Sequence, residues 1–188
     1  MKRPNSILVI FVLLCAGQSL AQTPDQMKAW QAYMTPAENH KALAKDVGKW
    51  KTETNSYMEP NTPAVKSTGT AEVSMILGGR YQQSVYKGNM MGMPFEGISV
   101  VGYDNSKKAF VNSWIDNMGT GMMYMEGKWD ATGKKITYTG KCIDPATGKD
   151  MSVRQVVTIE SDKSQSMEMF MIQDGKETKS LEIKMTKL

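Results

Sequence analysis

Residues 122–160 read MMYMEGKWDATGKKITYTGKCIDPATGKDMSVRQVVTIE, and this stretch decides the fold. Met122–Trp129, Lys135–Ile143 and Met151–Glu160 alternate in character and are rich in β-branched and aromatic residues, the pattern of strands with one face buried. Between them lie Asp130-Ala131-Thr132-Gly133 and Asp144-Pro145-Ala146-Thr147-Gly148. These segments offer side-chain oxygens and glycine, the chemistry of tight turns. Parallel neighbours need a crossover of about a dozen residues or more, and these connections have no room for one. The three strands are therefore antiparallel neighbours.

The same reading extends in both directions. Toward the N-terminus it predicts strands over Lys49–Met58, Ser67–Leu77, Arg80–Lys87, Phe95–Tyr103 and Ala109–Asp116. Toward the C-terminus it adds Gln165–Ile172 and Thr178–Thr186. Gly78-Gly79, Asp104-Asn105 and Asp174-Gly175 mark further turns. Ten strands with short connections make a meander. One open sheet of that size would leave two long edges, whereas closure into a barrel removes them. The expected architecture is all-β: an antiparallel up-and-down β-barrel of about ten strands behind a short N-terminal helical segment. A barrel of eight or more strands has room for a small ligand. Two glycine-bearing segments, 88–94 and 117–121, are read as wide loops at a rim.

Ahead of the strands the period is helical. Asp25 is placed as the cap of a short helix carrying Met27, Trp30 and Met34. Thr35-Pro36-Ala37-Glu38 reads as the capping box of a second helix that runs to about Asp46 and ends at Gly48. Further upstream, Lys2-Arg3, the apolar run Ile7–Ala16 and Ser19-Leu20-Ala21 form the three parts of a secretory signal peptide. As a helix that run spans about 15 Å, half of a bilayer core. Cys15 invites a lipoprotein reading, but Leu14 stands before it where that signal wants a small residue. The expected organisation is a signal peptide over 1–21, a helical segment over 22–47 and a barrel domain over 48–188, with an exported, periplasmic or secreted location.

Composition excludes several function classes. The chain has 188 residues, 23 basic and 19 acidic, with 40% apolar and 22% charged residues. Without the leader's Lys2 and Arg3 the excess of positive charge is small, too small for a nucleic-acid reader. Two cysteines, one of them in the leader, exclude an internal disulfide framework and a cysteine-built zinc site. A single histidine, His40, excludes most metal sites and nucleophile triads. It lies in the capped helix rather than on a strand, so a haem reading lacks its ligand. No nucleophile elbow, zincin, Walker or dinucleotide-binding motif is present.

Several motifs carry a family likeness. Glu38-Asn39-His40-Lys41 precedes Gly48-Lys49-Trp50. Ile76-Leu77-Gly78-Gly79-Arg80-Tyr81, Pro94-Phe95-Glu96-Gly97 and Gly102-Tyr103-Asp104-Asn105 follow. Trp114-Ile115-Asp116-Asn117-Met118-Gly119-Thr120-Gly121 and Asp144-Pro145-Ala146-Thr147-Gly148-Lys149 complete the set. From about Pro36 to Lys187 the chain resembles the bacterial domain-of-unknown-function family 1579. The resemblance implies a lipocalin-like, calycin-type barrel, often exported, with no established activity and no catalytic residues to carry over. Gly48-Lys49-Trp50 also resembles the Gly-x-Trp opening of lipocalins, where a Trp packs beneath the closed barrel end.

The residues themselves point first to a binding protein. Trp114, Asp116, Met118, Tyr103, Met169 and Phe95 are the candidate lining of a lumen that takes a small apolar or amphipathic ligand. Arg80, at a strand start near a rim, is a candidate anchor for an anionic head. Arg154 is placed on an outward phase. Methionine is abundant, 17 residues in all. Thioethers are adaptable lining for an apolar pocket, and they are also soft ligands that suit Cu(I). A methionine-rich Cu(I)-binding or redox-buffering envelope protein is therefore the second reading. The third is an enzyme using Asp116 or Glu96 as a general base in the lumen. Neither a catalytic set nor a metal site is assigned, and the cofactor is open. Ligand identity, oligomeric state and the role of Cys142 are also open at this stage.

Overall fold

The computed structural model describes residues 23–59 and 62–188. The expected signal peptide lies outside the described residues. Two short helices come first, α1 (Pro24–Met34) and α2 (Glu38–Ala44). Ten strands follow: β1 (Gly48–Ser56), β2 (Val65–Ile76), β3 (Tyr81–Met90), β4 (Met93–Asp104) and β5 (Ala109–Asp116). The chain continues through β6 (Met123–Trp129), β7 (Lys135–Ile143), β8 (Asp150–Ser161), β9 (Ser164–Gln173) and β10 (Lys176–Lys187). Each strand pairs antiparallel with the next, and β1 pairs with β10 to close the barrel. The expected all-β up-and-down barrel of about ten strands is the observed fold.

Three local expectations change. The cap of α1 is Thr23, not Asp25: its hydroxyl accepts the Gln26 N–H, and Gln26 Oε1 accepts the Thr23 N–H. The second helix starts after Ala37, because the Thr35 hydroxyl donates to Gln31 O at 2.6 Å and so belongs to the end of α1. His40 takes the capping role there, its Nδ1 accepting the Ala37 N–H at 3.0 Å. The segment 88–94 is not a wide loop. Strands β3 and β4 run on to Met90 and Met93, joined by Met91 and Gly92 at φ 54° and 83°. Two successive positive φ values give the two-residue hairpin turn whose twist matches the strands.

The barrel has two unlike ends. Toward the α2 end the inward side chains are sealed: Trp50 and Phe110 are almost wholly buried there, as are Met125 and Val153 further along the barrel. One cluster gathers Leu43 of α2 with Val101, Phe110, Met125, Ile136, Tyr138 and Val153; a smaller one holds Trp50, Ala71, Val73 and Met185. Helix α2 is thus a plug. The segment just after it is fastened by Trp50 Nε1 donating to Asp46 O at 2.8 Å. The chain's last residues close the same end, with Lys187 Nζ donating to Lys45 O at 2.9 Å.

At the opposite end the inward rows are only half-buried. They comprise Tyr86, Phe95 and Trp114 on β3–β5, Met123 and Cys142 on β6–β7, and Met169 and Met171 on β9, with half-buried Met167 deeper on the same face. These inward-facing side chains therefore retain solvent contact at this end.

Candidate functional site

Tyr86, Phe95 and Trp114 converge at the half-buried end. The Phe95 ring stacks on the Trp114 indole at 6.3 Å, and Tyr86 meets it edge-on at 5.5 Å. The indole lies against Gly97. A Cβ there would come within 2.5 Å of Trp114 Cη2 and Cζ2, so only glycine leaves it room. Trp114 Nε1 donates to Asp116 Oδ2 at 2.6 Å, while Asp116 Oδ1 accepts the Met118 N–H at 2.9 Å. Asp116 therefore fixes both the indole and the start of the following turn. The result is a rigid aromatic wall.

The other wall is soft. Met167, Met169 and Met171 alternate along β9 on the inward face, and Met169 and Met171 pack against the main core cluster. Flexible, polarizable thioethers conform to irregular apolar surfaces.

Below these walls the lumen is polar. Thr52, Ser84, Tyr138 and Gln155 are inward-facing and buried. The Tyr86 hydroxyl lies 3.9 Å from Met185 Sδ and approaches the Ser84 hydroxyl. Burial, with the Asp46 charge as a second cause, pushes the Tyr86 phenol up to about 12 and the Tyr138 phenol further in the same direction. Both therefore stay neutral hydroxyl donors at any ordinary pH. Among the described residues, no sealed side-chain nitrogen or oxygen lacks a hydrogen-bond partner.

The floor is built around Asp46, which the sequence reading missed. Gln82 Nε2 and Gln165 Nε2, from opposite sides of the barrel, donate to its carboxylate at 3.1 and 2.5 Å. Burial raises the Asp46 carboxyl above the usual range, against the lowering effect of these two amides. The sequence signal was available: an acid between Leu43 and Val47 at the end of a plug helix has to find donors.

The remaining expected site residues stand apart from this wall. Tyr103 is inward, but at the plugged end, edge-on to Phe110 at 5.0 Å and to His40 at 6.1 Å. Met118 is 41% exposed in the β5–β6 turn, outside the lumen. Arg80 holds the end of α1, its Nη2 donating to Met34 O at 2.9 Å and its Nη1 to Leu77 O at 3.2 Å. Glu96 falls on the outward phase of β4 and pairs with Lys87 at 3.5 Å, so it shares no pocket with Asp116. Arg154 points outward, as expected: it forms a two-pronged pair with Glu177 at 2.6 and 2.9 Å and lies over the Phe170 ring.

His40 is nearly buried and serves the fold. Besides accepting the Ala37 N–H, it hydrogen-bonds the Tyr103 backbone, and burial holds its pKa below the ordinary histidine range. Two clefts of about 180 and 160 Å³ flank the plugged end, the first lined by Tyr33, Arg80 and Tyr103 and the second by Asp46 and Trp129. Both are smaller than the roughly 300–1,000 Å³ of typical small-molecule sites. No group of three His, Cys, Asp or Glu side chains that could hold a metal occurs among the described residues. No helix among them is long and apolar enough to cross a membrane.

Several solved structures share the fold, among them the following two. Rv2717c from M. tuberculosis matches with a TM-score of 0.61 and 13% identity, covering 82% of this chain and 99% of that one. The S-type phycobiliprotein lyase CPES from Guillardia theta matches with a TM-score of 0.56 and 8% identity, covering 87% of this chain and 98% of that one. At such identities the likeness extends to the barrel alone. No curated protein matches the chain. The family model described as "Protein of unknown function (DUF1579)" matches residues 35–187, from the turn before the plug helix to the end of β10, and the chain belongs to that family.

Proposed function

We propose that this barrel is an exported binding protein for a small amphipathic molecule, which enters at the end opposite α2. The observation that carries the reading is the axial change in burial: sealed side chains over the plug, half-buried aromatic and methionine side chains toward the mouth. Apolar surface leaving water on that wall supplies the drive, about 25 cal/mol per Å² before the costs of association. The neutral hydroxyls of Tyr86 and Tyr138 offer hydrogen bonds to a polar end held deeper. A phycobiliprotein lyase among the structures sharing the fold is consistent with a ligand-holding barrel.

The test is a fluorescence titration with N-phenyl-1-naphthylamine, an apolar probe that brightens out of water. The expected result is saturable binding that Trp114→Ala weakens about fivefold or more, the loss of a buried aromatic contact. Arg80→Ala and Met118→Ala should leave it unchanged, because both side chains lie outside the lumen. Non-saturable binding, or equal losses in all three variants, overturns the reading.

A further inference from the structure

We propose that Cys142, Met123 and Met151 form a binding site for a soft monovalent cation, Cu(I), on the inner wall of the barrel. Strand register brings them together. Cys142 of β7 pairs directly with Met151 of β8. On the other side, Tyr124 of β6 pairs with Lys141 of β7, so one further step along the ladder sets Met123 opposite Cys142. All three fall on the inward phase, shared with Met125, Tyr138 and Val153, which are buried. All three are half-buried, within reach of an ion entering at the mouth. Met171 of β9 pairs with Val153 and so lies diagonal to Met151, placing a fourth sulfur next to the row.

Directly opposed residues on neighbouring strands have Cβ atoms about 4.5–5.5 Å apart. On the concave inner face of a barrel their side chains converge toward the axis. A thiol flanked by two longer thioethers can then aim three sulfurs at one point. One thiolate and two thioethers are a soft donor set, which favours Cu(I) over the hard ions that want oxygen. No imidazole adjoins the row, because His40 is committed to the plug helix. Burial and the Asp144 charge both push the Cys142 thiol up, which favours the protonated sulfur. Coordination forms the metal–sulfur bond and releases that proton to solvent, with no change in oxidation state. Met91, Met118 and Met122 are exposed in turns and Met93 is exposed at the start of β4, and all four stand outside this row.

The site does not depend on the amphipathic-ligand reading, since it needs only the register of β6–β8. The experiment is an anaerobic titration of the whole chain with Cu(I) against bathocuproine disulfonate. The expected result is one equivalent retained against the chelator. Cys142→Ser should weaken retention by about tenfold or more, a difference of about 1.4 kcal/mol, and Met123→Leu and Met151→Leu should each weaken it measurably. Met118→Leu and Met122→Leu should not. A second measurement needs no variant: with methyl-labelled methionine, added Ag(I) should shift the NMR signals of Met123 and Met151 and leave those of Met118 and Met122 in place. Failure of the wild-type chain to retain Cu(I), or losses and shifts centred on the exposed turn methionines, overturns the site. Probe binding without ion retention defeats this inference alone, and ion retention without probe binding defeats only the ligand reading.

Discussion

Replacing Gly97 by alanine tests the aromatic wall at its tightest point. The added methyl would stand 2.5 Å from Trp114 Cη2 and Cζ2 and 3.3 Å from Phe95 Cζ. Carbon atoms settle at about 3.5–4.0 Å, so the indole must retreat by about 1 Å. It is tied by the 2.6 Å hydrogen bond from Nε1 to Asp116, the residue that pairs with Gly97 across the ladder. A retreat of that size takes the bond past about 3.5 Å, where little of it survives. A hydrogen bond to a charged group is worth about 1.5–3 kcal/mol, and the half-exposed setting favours the low end. Glycine to alanine also restricts the unfolded chain, which returns about 0.4–1 kcal/mol. The expected net loss is about 1–2 kcal/mol, read as a lower urea midpoint with an unchanged slope. The decisive comparison is the same substitution in a Trp114→Ala background. There the obstacle is gone, so Gly97→Ala should become neutral or stabilising. An equal cost in both backgrounds would refute the seating of the indole on Gly97.

Two further outcomes concern the plugged end. Neutral His40 caps α2 and its pKa is depressed by burial, so its contribution is present above the ordinary histidine pKa of about 6.5 and is lost as pH falls through the folded value. The urea midpoint should therefore drop between pH 7.5 and 5.5, and His40→Gln, which keeps an acceptor at the same capping position, should flatten that slope; an unchanged slope would remove His40 from the account. Asp46 has the opposite sign: its raised pKa favours the protonated form, so its stabilising contribution is present below the ordinary carboxyl pKa and is lost as pH rises through the folded one. At pH 7 Asp46→Asn should hold or raise the midpoint, with Gln165 turning its amide oxygen inward. Asp46→Ala strands the amides of Gln82 and Gln165 and should cost about 1–3 kcal/mol; a neutral Asp46→Ala would show that they find other partners.

Alternation and turn chemistry made the strands legible, because each depends on neighbours within a few positions. The same alternation placed Trp114, Asp116, Phe95 and Met169 on inward phases, and the structure agrees. What phase cannot supply is height along the barrel. Tyr103 shares the inward phase of Phe95 on β4, yet it lies at the plug while Phe95 lies at the mouth. Height matters only once the closed barrel sets the ends of the strands against each other, and that is a property of the whole register. Arg80 shows a related limit of local reading. Its partner is a carbonyl in α1, 46 positions earlier, and no local signal announces it. Met118 follows the last residue of β5, so the strand's alternation no longer governs it. The sulfur row was illegible for the strongest reason: it needs the register of three consecutive strands, each correct to one residue.

The two walls of the mouth differ in kind, and that difference bears on what the barrel selects. On β3–β5 the aromatic rings are fixed by contacts that tolerate no movement: Gly97 beneath the indole, Asp116 at its nitrogen, Phe95 and Tyr86 at its faces and edge. Across the lumen, β9 presents methionines, whose three rotatable bonds re-pack at low cost. A ligand meeting both must match the rigid surface, whereas the soft one follows whatever shape remains. Discrimination between ligands should therefore reside in Tyr86, Phe95 and Trp114, and tolerance of differing bulk in Met167, Met169 and Met171. The sealed clusters around Phe110 and Trp50 support both walls: Met169 and Met171 pack against the first and Tyr86 against the second. Burial is deepest in these clusters, which leaves the mouth free to carry half-buried apolar surface without endangering the fold.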